Sequence, residues 1–156
     1  RLTPSVVNGW TSSTHEEKTA GATGDNNTAC QAAESALRDA GNDRNANGTR
    51  GPFNRVDPSW WGGAPGACAS GACVPVAALG TPVWEVAANW GNAATYAQYT
   101  YALALPTSGP GAVGQPPRYL VEKLGAVGSQ VAYRITARGW GPNSVQVVTL
   151  QEEVLK

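Results

Sequence analysis

Cys68 and Cys73 enclose the short segment Ala-Ser-Gly-Ala. That spacing lets a disulfide close a tight turn in an oxidising compartment, and the loop-entropy model gives so small a ring about 2 kcal/mol of stabilisation. The same pair is half of a tetrahedral zinc site, but the other candidate ligands, Cys30 and His15, stand far off in the sequence. The bridge is therefore the expected state, with Cys30 left as a buried thiol. A second metal-like pattern is Asp43, Asn45, Asn47 and Gly48, which opens like a calcium loop with oxygen ligands at alternate positions. Its twelfth position is Asn54 in place of the bidentate glutamate, so the site would be weak, and an Asn- and Gly-rich turn after a helix produces the same letters for conformational reasons. No metal and no other cofactor is expected.

Covalent catalysis finds little support. The single histidine is His15, and no Gly-x-Ser-x-Gly elbow occurs. The carboxylate pairs Glu16-Glu17 and Glu152-Glu153 are adjacent in sequence, which does not aim both at one substrate. No enzymatic activity is expected. The tryptophans carry the main alternative: Trp60 and Trp61, with Trp84, Trp90 and Trp140, could form an aromatic platform for sugar rings or a peptide, making the chain a secreted carbohydrate- or ligand-binding module. Rings of this size also pack cores and interfaces. Loss of glycan binding on mutating Trp60 and Trp61 would favour the platform. The Pro- and Gly-rich residues 106–117 form an exposed hairpin loop, a place where recognition also occurs.

These residues need elements to hold them. Residues 14–41 read as a helix in which Ala29, Cys30, Ala33, Ala36, Leu37 and Ala40 recur at three- and four-residue steps, with Gly41 as the stop. A stripe of small side chains lets this helix lie close against a sheet, with Leu37 the single large contact. Gly21 and Gly24 weaken the first half by about 1 kcal/mol each relative to Ala. Residues 42–80 turn irregular and contain the cysteine pair, and residues 81–151 carry runs with strand character at 83–88, 96–105, 118–124, 131–138 and 145–150, ahead of a tail at 152–156. The clearest alternation sets Val131, Tyr133, Ile135 and Ala137 on one face against Ala132, Arg134, Thr136 and Arg138 on the other. A turn at 139–143 returns the chain antiparallel. One helix followed by a strand meander gives an α+β fold in a single domain, 1–156.

Eleven basic residues balance eleven acidic ones, and nowhere do Lys or Arg cluster into the footprint a phosphate backbone requires, so nucleic acid is not an expected partner. Charged residues make up 14%, while Gly, Ala, Asn, Ser and Thr keep the surface polar, a balance common in exported bacterial surface proteins. No apolar run approaches the ~18–20 residues that span a bilayer, and Arg1 opens no signal-type apolar region, so any anchor or export signal is expected to have been removed or never to have existed.

Residues 31–40, reading QAAESALRDA after EEKTAG at 16–21, resemble the helix of PilX-type minor pilins of the type IV pilus. Residues 133–141, reading YRITARGWG, followed by Val147, Val148, Leu150 and Gln151, are similar to the closing hairpin of that family. The two motifs cover about a third of the chain. Cys30 sits where relatives carry a larger apolar residue, and residues 152–156 continue past the usual end. The resemblance implies a pilin-like fold, an N-terminal helix packed on an antiparallel sheet of about four to five strands. It implies a structural role in priming or supporting pilus assembly at the fibre tip. The partners it implies are other minor pilins, a PilY-type tip adhesin, the major pilin, and the inner membrane through an apolar N-terminal helix lacking in this sequence. The implied place is the pilus surface or the periplasmic side of the inner membrane of a Gram-negative bacterium.

Overall fold

The computed structural model describes residues 23–45 and 64–155. Helix α1 spans Thr23–Arg44. The expected start at Thr14 lies outside the described residues, and the expected stop at Gly41 is overrun by three residues. Tertiary anchors explain the overrun. Asp43 accepts a hydrogen bond from the Tyr119 hydroxyl at 2.6 Å, and the Arg44 guanidinium lies 5.6 Å from the centre of the Tyr133 ring. Together these outweigh the roughly 1 kcal/mol that a helical glycine costs.

Six strands form one sheet: β1 Cys68–Ala69, β2 Ala72–Cys73, β3 Ala94–Thr95, β4 Arg118–Val127, β5 Gln130–Trp140 and β6 Val147–Leu155. Their order is β1-β2-β4-β5-β6, with β3 also on β4. Strands β4, β5 and β6 are the expected antiparallel meander. The sheet as a whole is mixed, however, because β2 runs parallel to β4, pairing Ala72 with Val121 and Cys73 with Glu122. The β1-β2 hairpin turns the chain so that β2 enters in the direction of β4, a property that side-chain alternation does not encode. The long strands also exceed their expected ends. A register shift between Lys123 and Gly125, where Gly125 takes φ 128°, absorbs the glycine and lets β4 continue. Strand β6 carries the chain to Leu155, so the expected tail is strand.

Two expected strands are absent from the ladder. Residues 83–88 form a 3-10 turn at Val83–Glu85, followed by a short helix, α2, Ala87–Gly91. A short apolar run does not distinguish strand from helix by periodicity alone, and the burial of Val83 and Trp90 is satisfied by the helical turn. Of the expected 96–105 strand, residues 101–106 make no turn, bend or ladder.

The core lies between α1 and one sheet face. Ala29, Ala33, Ala36 and Ala40 are fully buried and Leu37 nearly so. They meet Tyr119, Val121, Tyr133, Ile135, Ala137, Val148, Leu150 and Val154 from the meander. At Gly139 the helix comes so close that a Cβ would collide with the Ala29 carbonyl and the Ala33 amide. A second cluster on the opposite face joins Cys73, Val83, Trp90 and Leu120.

Candidate functional site

The outward face of the meander is built from three cross-strand rows that follow from the register: Arg118-Arg138-Thr149, Leu120-Thr136-Gln151 and Glu122-Arg134-Glu153. In the third row Arg134 holds Glu153 at 3.2 Å and Glu122 at 3.5 Å, and its guanidinium lies 5.2 Å from the Trp84 ring centre. In the first, Arg138 stacks 4.1 Å from the Trp90 ring centre, and Arg118 donates to the Trp90 carbonyl at 2.8 Å. The indole of Trp90 donates to the Trp84 carbonyl at 3.0 Å. Thr136 and Gln151, both buried, bond each other at 2.8 Å. Burial raises the Glu122 carboxyl above its ordinary range; Arg134 pulls the other way but shares its charge with Glu153, so burial prevails. Burial likewise lowers the affinity of Arg138 for its proton.

Trp84 and Trp90 are thus engaged by the sheet's arginines, whereas Trp60 and Trp61 lie outside the described residues. The other sequence-selected residues are also dispersed. Cys68 and Cys73 are joined, with Cα atoms 4.1 Å apart, and the bridge ties β1 to β2. Cys30 was expected to be buried but is half-exposed on the flank of α1. Its thiol donates to the Glu34 carboxylate at 3.9 Å, and burial followed by the Glu34 charge pushes its pKa up to about 11. Asp43, first position of the calcium-like pattern, is buried with its carboxylate on Tyr119, and Asn45 is exposed with its amide on the Gly41 carbonyl. Asn47, Gly48 and Asn54 lie outside the described residues. Among the described residues no group of three or more His, Cys, Asp or Glu side chains could hold a metal ion, and none of their helices is long and apolar enough to cross a membrane.

What sequence reasoning missed is the strap that flanks α1. Asp39, buried on the helix, accepts the Ala97 amide at 2.7 Å and the Thr100 hydroxyl. At the far end the Pro106 carbonyl accepts the Val113 amide and Gly114 bonds Gly141, which lies against the Asp25 carbonyl. The strap is anchored beside the helix's second-last turn at Asp39, and the connection after it reaches the first turn through Gly141. A groove of about 150 Å³ separates the two, lined by Ser35, Arg38, Asp39, Asn42, Tyr96 and Ala102. On the strap's surface Tyr101 is 78% exposed and Leu103 87%. The hint in the sequence was the strand-like run at 96–105.

A helix with a small-residue seam, clamped to a three-stranded meander, with a disulfide-tied hairpin along one edge, is a scaffold for presenting surfaces. No curated protein and no solved structure matches the chain. The family model described as type IV pilus assembly protein PilX, C-terminal region, matches residues 3–156. This chain belongs to the PilX family of type IV pilus assembly proteins.

Proposed function

We propose that this chain is a structural minor pilin that primes or supports pilus assembly from the fibre tip, in contact with other minor pilins, the major pilin and a PilY-type adhesin. The observation that carries the reading is the family match across residues 3–156. The α1-on-sheet architecture agrees with it, since the helix and meander fall where a pilin head needs them. The head supplies lateral and axial contacts by shape, with no covalent step, at the periplasmic face of the inner membrane and then on the pilus surface. Deletion of the gene, complemented by the full-length version, tests the role: surface pili should fall sharply in the deletion strain and return on complementation. Normal piliation in the deletion strain would overturn it. Co-purification of the full-length protein with the other minor pilins and the adhesin tests the tip placement, and recovery of neither removes that part of the reading.

A further inference from the structure

We infer that Leu79 is an anchor residue, held out on a braced turn to enter an apolar recess of another pilus subunit. The inference rests on the assembly role proposed above and gives it a point of contact. Three observations carry it. First, the backbone at this position does not suit leucine. The Gly80 amide bonds the Ala77 carbonyl at 2.9 Å and closes a four-residue turn whose third member, Leu79, takes φ 73°. Such a position favours Gly or Asn, because a branched side chain there crowds the neighbouring carbonyl. The other non-glycine residues at positive φ, among those described, are Ser70, Ala97 and Ser144, all small.

Second, the fold takes nothing from this side chain in return. Leu79 is fully exposed and belongs to neither core cluster. A scattered exposed leucine needs no explanation, but one kept where Gly or Asn would relieve the backbone points to a use outside the fold. The turn beneath it is braced. Val76 packs on the second core cluster, Val83 is fully buried within it, and a Cβ on Gly80 would stand 3.2 Å from the Val76 Cβ. A side chain on such a base loses little freedom on binding.

Third, the surroundings identify what receives it. No charged residue stands between Asp57 and Glu85, and Ala77, Ala78 and Pro82 flank the turn. The matching surface is therefore apolar with an uncharged rim, since a charge buried against this loop would find no partner. A second copy of this chain does not offer that surface in the recesses described beside α1. One is lined by Arg38 and Asp39, and another, of about 270 Å³, by Glu34, Arg38 and Glu152. An apolar tip there would strip water from charges without pairing them. The recess belongs to a different subunit.

Leu79→Asn separates a contact role from a folding role. Full burial of a leucine side chain corresponds to at least about a tenfold change in an association constant. Full-length protein carrying Leu79→Asn, expressed in the deletion strain, is expected to co-purify about tenfold less of the other minor pilins than wild type. Leu79→Met keeps an apolar side chain and should stay near wild type. This chain carrying Leu79→Asn should melt at or above wild type, because asparagine tolerates the turn. Undiminished recovery of the minor pilins with Leu79→Asn would overturn the inference and leave the assembly role standing. Equal losses for the Asn and Met variants, or a clearly lower melting temperature for Leu79→Asn, would overturn it too. Normal piliation in the deletion strain would remove the assembly role and the inference with it.

Discussion

At the residue scale, close approach and burial decide most. Gly139 is the point where α1 touches β5, and a methyl group there strikes helix backbone that has no rotamer to give way. Gly139→Ala is expected to destabilise by about 1–3 kcal/mol in urea unfolding; a change below about 0.5 kcal/mol, the scale of an ordinary surface substitution, would contradict the packing described. Glu122 makes a second case. Its folded-state pKa lies above the ordinary carboxylate value, so the native state keeps a proton that the unfolded chain releases. The group costs nothing below the ordinary carboxylate range, and its penalty grows as pH rises through the folded value. Glu122→Gln removes that penalty while Arg134 retains Glu153. The variant should melt above wild type at pH 7, and the gap should close below about pH 4. A gap of the opposite sign, or one that ignores pH, would refute this account. For Cys30, a pKa near 11 against the usual 9.0 leaves about a hundredfold less thiolate at pH 8. Iodoacetamide should modify it correspondingly more slowly in the folded protein than in urea.

At the scale of elements, the hairpin of β1 and β2 is held to the sheet by few main-chain bonds. The Val121 amide reaches the Gly71 carbonyl and the Gly71 amide reaches Asn92. Its apolar contribution centres on Cys73 against Val83, Trp90 and Leu120. Replacing both Cys68 and Cys73 by Ser is expected to cost about 2 kcal/mol from the freed loop. Amide exchange should rise at Gly71 and Val121 first, while the β5-β6 amides keep their protection. Uniform exchange across the sheet would show instead that the hairpin and meander open as one unit. The strap depends on a different anchor. Asp39→Ala strands the Thr100 hydroxyl and the Ala97 amide, a loss of about 1–3 kcal/mol, and should release residues 97–105 to rapid proteolysis.

At the scale of the whole molecule, α1 is enclosed on one side by the meander and flanked by the strap. Among the described residues the helix's polar ridge at Gln31, Glu34, Arg38 and Asn42 is exposed, as are Tyr101 and Leu103 on the strap. The far sheet face is bound up in its own ladder of arginines, carboxylates and tryptophans. Under the proposed assembly role, the helix ridge is one surface open to other subunits. Charge reversal at the ridge, Arg38→Glu with Glu34→Lys, is expected to reduce surface piliation in a complemented deletion strain without lowering the melting temperature. Unchanged piliation would move the subunit contacts elsewhere.

The sequence by itself determined the α1 seam, the β4-β5-β6 meander and the joining of Cys68 to Cys73. Each rests on local periodicity or on a short spacing, which tertiary context does not easily override: Ala29, Ala33 and Ala36 on one helix stripe, Tyr133, Ile135 and Ala137 on one strand face. The two motifs at 31–40 and 133–141 also carried the family. Only the tertiary structure decided the rest. Helix α1 passes Gly41 because Asp43 and Arg44 find partners on the sheet, and β2 lies parallel because a hairpin, not a residue pattern, sets its direction. The 83–88 run coils because burying Val83 and Trp90 matters more than local strand preference. The 96–105 run lies beside the helix because Asp39 accepts the Ala97 amide and the Thr100 hydroxyl. For α1 a contact distant in sequence outweighed a local preference of about 1 kcal/mol, and no window of neighbouring residues contains that contact.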